Sequence, residues 1–429
     1  MSTRLLDTRS RTVMELPESP TPIGMYFCGP TVYARAHIGN ARPFVFGMLL
    51  ARWLRHQGHE VTFVHNITDV NDKIYDAAEG ETSTEVAERA SAWYKQDIEA
   101  FGLGMPDRMP KVTETIPEII DFVQSLLDAG VAYVADGDVY FRIADFADYG
   151  AISGQHDALE ESEESNELKE SPFDFALWKA TKPGEDTSWD SPWGPGRPGW
   201  HIECSAMARK ELGDSFAIHG GGLDLCFPHH DNELAQSESL GLGFADIWAH
   251  NAMLEFTGEK MSKSVGNLES MEQALERWGA ATLVTLFLSV HWRRALDYSD
   301  STLGQAAARV RGLRNSLRND PEPHDESQWA DLVACLEDNF DTAGALVVLH
   351  RWANNGQLEL LRRGLDLFGL LEAEVEAPAE VHALAQKRAQ AKTDRDFERA
   401  DALRDEILAL GWVIEDVPDG FRIVSADSA

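Results

Sequence analysis

Cysteine is scarce in this chain: four in 429 residues, at positions 28, 204, 226 and 335. Four cannot build a disulfide scaffold, so reduced thiols are expected. No pair is spaced Cys-x-x-Cys, which excludes a ribbon or finger zinc site but leaves one assembled from distant segments open. Positive charge is scarce as well: 38 Lys+Arg, of which only 11 are lysine, face 72 Asp+Glu, for a net charge of −34. That balance excludes a generically basic nucleic-acid binder, although local patches can still hold a folded nucleic acid. An acidic, lysine-poor surface suits a salt-rich cytoplasm, and equally an ordinary acidic cytosolic enzyme. Long apolar runs are missing; the best, Leu283 to Val290, is far short of the ~20 residues a membrane helix needs. Asp7 falls where a signal peptide would carry its apolar stretch. A soluble cytoplasmic protein with no membrane partner is expected.

What is present is enough apolar residue, 43% of the chain, to exclude general disorder. Gly24 to Tyr33 reads as a buried strand broken at Gly29-Pro30, Arg42 to Gln57 as a helix, and Glu60 to Thr68 as a second strand. Strand, helix, strand predicts a parallel sheet with its ligand at the strands' C-terminal ends. Residues 71–195 interrupt the pattern with helices (Thr82 to Leu103, Thr113 to Asp128), a strand pair around Val131 to Arg142, and an acidic loop at Glu160 to Glu170. From Ser215 the rhythm returns: a strand to His219, a loop at Gly220-Gly221-Gly222, a helix from about His229, and a strand from Asp246 to Leu254. Helices follow to about Glu372, then a linker at Glu374 to Glu380, a helical stretch from Val381 to Leu410, and a hairpin turning at Pro418-Asp419-Gly420. The expected class is α/β: a split, Rossmann-like parallel-sheet catalytic domain (1–70 and 196–267) with a connective insertion (71–195). A helical region (268–300), a helical bundle (301–373) and a small C-terminal α+β module after a linker (374–429) complete it.

Two motifs carry chemistry. His37-Ile38-Gly39-Asn40 follows the first strand and opens the first helix. It places an imidazole and a glycine where backbone N–H groups and the helix dipole favour phosphate. Lys260-Met261-Ser262-Lys263-Ser264 follows the last sheet strand and sets two ammonium groups where charge develops on a leaving pyrophosphate. Together they resemble class I aminoacyl-tRNA synthetases. The strings Phe27-Cys28-Gly29-Pro30-Thr31-Val32-Tyr33, Asn66-Ile67-Thr68-Asp69, Phe175 to Lys179, Gly199 to Met207, His219 to Gly222 and Phe227 to Glu233 narrow the resemblance to the cysteinyl-tRNA synthetase family. Less specifically, Asp338 to Thr342 and Asp396 to Asp405 resemble that family's C-terminal tRNA-binding parts. One position departs: Asn40 stands where the family motif ends in histidine. An amide still hydrogen-bonds but carries no positive charge.

The resemblance implies ATP-dependent activation of L-cysteine and its transfer to tRNA(Cys) by a monomer. It assigns catalytic roles to His37, Lys260 and Lys263, and ATP contacts to His37, Gly39, Asn40, Gly221, Gly222, Asp224 and Lys263, with Mg²⁺ accompanying the nucleotide. Gly29, Thr68, Trp200 and His219 would surround the substrate cysteine. One Zn²⁺ would be held by Cys28, Cys204, His229 and Glu233. From spacing alone the reading that dominates is packed thiols and a surface His-His pair, although His229 and Glu233 share one helix face. Cys226 and Cys335 read as packed thiols. His230 reads as a solvated helix residue or as a partner behind the ligands. Arg309, Arg311, Arg314 and Arg318 meet either tRNA phosphate or solvent. Two rivals keep parts of this reading: a cysteine ligase using an amino-sugar acceptor, and a non-catalytic tRNA-binding paralogue.

Overall fold

The computed structural model describes residues 2–155, 167–256, 259–260, 269–319, 321–371, 377–417 and 420–425. At its centre lie four parallel strands, β1 (Ile23–Phe27), β2 (Val61–His65), β3 (Ser215–Gly222) and β4 (Phe244–Asn251), in the spatial order β4-β3-β1-β2. The strands are rich in Ile, Phe and Val and largely buried, as a sheet covered on both faces requires. Helix α1 (Ala41–His56) makes the β1-to-β2 crossover and buries Phe44, Val45, Met48, Leu49 and Leu50. Because β1 runs on to β2 in one direction and β3 to β4 in the other, the strand order reverses between β1 and β3. That is where an open α/β sheet forms its crevice.

The second half enters through α2 (Trp200–Leu212) and leaves β3 through a wide turn, Cys226–His230, into α3 (Asp231–Glu238). Between the halves, helix Ile116–Asp128 packs with an antiparallel four-stranded sheet whose strands follow chain order, while helix Ser83–Glu99 packs Val86, Ala87 and Ala90 with Val32, Ile67 and Ile74. The acidic loop expected at Glu160 to Glu170 lies mostly outside the described residues. The chain's start forms a small hairpin (Arg4–Leu6 with Val13–Glu15) absent from the sequence-based expectation. Its loop seals the sheet edge: Trp248 N donates to Asp7 Oδ1 at 2.8 Å, and Thr8 N to Trp248 O at 2.9 Å.

Two compact units divide the chain, Met1–Leu370 and Leu371–Ala429. The first ends in helices, among them Ala280–Leu288, Asp300–Ser316, Thr342–Asn354 and Leu358–Leu367. In the second, the stretch expected as helical from Val381 to Leu410 is two helices, Ala379–Thr393 and Phe397–Ala409. The break follows from Asp396, whose side chain accepts from Arg399 N and starts a new helix. A hairpin, Trp412–Val417 with Gly420–Ser425, packs Trp412 and Ile414 on Leu384, Leu403 and Ile407. Among the described residues no helix is long and apolar enough to cross a membrane.

Candidate active site and metal centre

Cys28 follows β1, and its N–H donates to Gly220 O of β3 at 3.2 Å, which fixes the thiol at the crevice. Cys204 arrives on α2, His229 on the turn into α3 and Glu233 on the first turn of α3 itself. Cys28 Sγ lies 3.8 Å from Cys204 Sγ and 3.6 Å from Glu233 Oε1, and His229 Nε2 lies 2.7 Å from the same oxygen. The ligand atoms of all four lie within 4.8 Å of one another. Two sulfurs, an imidazole and a carboxylate suit a tetrahedral, borderline-soft cation such as Zn²⁺. A second set, Cys28, His219, His230 and Glu233, meets the same distance limit. It has one thiol fewer, and both ring nitrogens of each histidine are engaged. His219 Nδ1 pairs with Tyr26 O at 2.9 Å and Nε2 with Glu233 Oε2 at 2.6 Å. His230 Nε2 lies 3.5 Å from Cys28 Sγ, and its Nδ1 pairs with His250 Nε2 at 2.7 Å. These rings orient the ligands of the two-thiol set.

The electrostatics follow from burial and pairing. Burial pushes the Cys28 thiol well above the usual range, whereas the hydrogen bond from Cys28 brings Cys204 down to about 6. Burial works against a charged His229, yet the Glu233 carboxylate lifts it to about 10. Glu233, although buried, is held well below the ordinary carboxylate range by His219 and His229. The expectation of a solvated His230 is corrected: the residue is fully buried, because the wide turn at 226–230 aims it at Cys28 rather than at water. Cys226 is buried as expected of a packed thiol, while Cys335 is half-buried.

The residues assigned to substrate cysteine surround this cluster. Gly29 N donates to Asn66 Oδ1 at 2.8 Å, and a Cβ at Gly29 would stand 1.7 Å from Asn66 O, so no other residue fits. Thr68 Oγ1 accepts from Asn66 Nδ2 at 3.2 Å and donates to Glu203 Oε2 at 3.3 Å. Trp200, a core residue by composition, is 37% exposed, with its ring 4.3 Å from that of His229. Sequence reasoning assigned no role to His201, whose Nδ1 lies 3.0 Å from His229 Nδ1. Its signal was present: His201 stands three residues before Cys204, on the same helix. Of the ATP set, His37 Nδ1 accepts from Gly39 N at 3.1 Å, and Asn40 caps no backbone group of α1. Ile38 N donates to Glu269 O and Met271 N to Ala36 O, both at 2.9 Å, so the first motif is tied to the chain just beyond the second. The three glycines expected as a loop are the end of strand β3, with Asp224 in the turn after it. Lys260 ends a two-residue strand paired with Leu254–Phe256. Lys263 lies outside the described residues.

The parallel sheet, the crevice at its reversal and the two motifs define a class I aminoacyl-tRNA synthetase. Residues 15–308 match the family model "tRNA synthetases class I (C) catalytic domain", and 374–422 match "Cysteinyl-tRNA ligase anticodon binding domain". Among solved structures, Mycobacterium tuberculosis methionyl-tRNA synthetase bound by methionyl-adenylate superposes with TM-score 0.62 at 17% identity, covering 83% of this chain and 86% of that one. The LeuRS of a ternary tRNA complex from Agrobacterium radiobacter superposes at 0.59 and 12% identity, over 82% and 84%. At those identities the likeness concerns the fold. Proteins named "Cysteine--tRNA ligase" from Geobacillus sp. strain WCH70 and Brevibacillus brevis are each 42% identical to this chain, over 97% of both chains and over 94% and 95%, respectively. The chain belongs to the cysteine–tRNA ligase family.

Proposed function

We propose that the chain activates L-cysteine with ATP and passes the cysteinyl group to the 3′-terminal ribose of tRNA(Cys), acting as a cytoplasmic monomer. The observation that carries this reading is the convergence of Cys28, Cys204, His229 and Glu233 at the crevice between β1 and β3. A zinc ion held there would supply a soft centre for which a thiolate is a far better ligand than an alcohol. Trp200, Thr68, Gly29 and His219 would enclose the amino acid. His37, Gly39, Asn40, Gly221, Gly222 and Asp224 would hold ATP with its Mg²⁺, and Lys260 and Lys263 would meet its phosphates. No side-chain nucleophile is needed: a carboxylate oxygen of cysteine attacks the α-phosphorus, the bond to pyrophosphate breaks, and a ribose hydroxyl then displaces AMP from the acyl carbon. The protein supplies orientation and charge stabilisation. Residues 1–70 and 196–267 would form the catalytic domain around the 71–195 insertion, with 268–300 on the acceptor stem and 301–373 on the body of the tRNA. The match of residues 374–422 to an anticodon-binding domain supports tRNA as the acceptor.

ATP–pyrophosphate exchange tests the reading. Cysteine, and not serine, should drive exchange; Cys204→Ser should lower both metal content and exchange. A fully active chain without zinc that still rejects serine would refute it, because a purely shape-based pocket separates such near-isosteres only about 10²-fold. Lys263→Ala should lower the exchange kcat by about 10²-fold or more, the scale of one positioned stabiliser. A loss confined to the KM for ATP would reduce Lys263 to a ground-state contact.

A further inference from the structure

The substrate's own covalent structure dictates where a counter-charge is needed. Two carbon atoms separate the thiol of cysteine from its ammonium. A thiol seated at Cys28, Cys204, His229 and Glu233 therefore delivers the ammonium to the groups flanking that set. The four residues include two thiols and a carboxylate, and three carboxylates in this part of the chain are already engaged. Glu233 accepts from His219 and His229. Asp69 takes Thr113 N at 3.1 Å and Thr113 Oγ1 at 2.6 Å, and Asp72 is paired with Lys179 and Arg197. Glu203 is the exception. It sits beside Cys204 on α2, 1% exposed, and Thr68 Oγ1 at 3.3 Å is its one hydrogen-bond partner among the described residues. Of the charged groups acting on it, Cys204 and Asp69 oppose its ionisation and His229 favours it. A buried carboxylate with no hydrogen-bonded cation is costly unless a ligand completes it.

We infer that Glu203, with Thr68 Oγ1 beside it, receives the α-ammonium of the substrate cysteine. The inference rests on the cysteine reading above and adds a second recognition point, separate from the thiol. It makes the site select for an amino acid as well as for sulfur. The rival role is a buttress, in which Glu203 only holds the Thr68 side chain in place.

Calorimetric titration of the metal-replete full chain separates the two, using L-cysteine and 3-mercaptopropionic acid, which keeps thiol and carboxylate but lacks the ammonium. The wild-type chain should prefer cysteine by about 10- to 100-fold, the range for hydrogen bonds to a charged group. Glu203→Gln keeps the size and removes the charge. It should weaken cysteine selectively and bring the preference to within about threefold, with metal content unchanged. A buttress would weaken both thiols together, so an undiminished preference in the variant overturns the inference. So does a wild-type chain that binds the two thiols equally. Should the Gln chain fail to hold metal, Glu203→Asp draws the charge back by one methylene and should give an intermediate preference; a full one overturns the inference. Failure of both thiols to bind wild type would instead overturn the cysteine reading itself.

Discussion

Arg42 shows how one side chain can set the distance between two motifs. It is 2% exposed and meets no carboxylate among the described residues; its guanidinium donates to the carbonyls of Ala252 (2.7 Å), Met253 (3.1 Å), His291 (3.4 Å) and Arg294 (2.7 Å). Burial draws its pKa down to about 10. The residue is the second of α1, two positions after Asn40, and its partners lead from β4 toward the second motif and away from it. A planar fork with five donors can serve four acceptors in fixed directions, and an ammonium cannot. Arg42→Lys should therefore cost about 2–4 kcal/mol in chemical denaturation and lower the exchange kcat at saturating cysteine. A lysine chain as stable and active as the parent would show that those carbonyls find other donors. Sequence could place Arg42 at the start of a helix, but an arginine there reads as solvated. Only the convergence of four distant carbonyls reveals its task. His230 escaped for a related reason, since a wide turn breaks the 3.6-residue phase from which a side chain's direction is inferred.

Elements with a strong period were legible: α1, the helix Ser83–Glu99 and the βαβ unit all stand within a few residues of their expected bounds. Helix α2 left no such trace, although it carries Cys204, because its polar residues Glu203 and Ser205 are buried beside apolar ones. Short pairings such as the N-terminal hairpin depend on distant partners and have no local signal. The glycine triplet misled in the opposite sense. Three glycines suggest a loop, yet β3 runs through them because β1 crowds its neighbour: a Cβ on Gly220 would stand 2.3 Å from Phe27 Cζ. Gly220→Ala should push the Phe27 ring aside and disturb Cys28 next to it. The expected cost is about 1–3 kcal/mol of overpacking, read as a lower melting temperature together with reduced metal stoichiometry. An alanine chain with full metal content would show that the ring yields without moving the thiol. The metal set itself was legible only through resemblance, because its four members come from three segments whose spacing carries no pattern.

At the scale of the whole molecule, the chain divides into its two compact units after Leu370, close to the expected linker. Each has its own core, and the second closes with Arg388 donating to both carboxylate oxygens of Asp416, at 2.9 and 3.1 Å. A chain ending at Leu371 should keep cysteine-dependent pyrophosphate exchange at near the parent rate and lose most charging of tRNA. Intact charging would remove the terminal unit from tRNA recognition. The order β4-β3-β1-β2 also governs how the protein emerges from the ribosome. Strand β1 leaves the exit tunnel early, but its inner neighbour β3 ends at Gly222 and the edge strand β4 at Asn251. At about 5–20 residues per second, the gap between β1 and β3 corresponds to roughly 10–40 s of translation. Through that interval the buried strand β1 has one open side, and the 71–195 segment is complete before the strand that covers that side. Nascent-chain chaperones would meet this protein at its centre rather than at its ends.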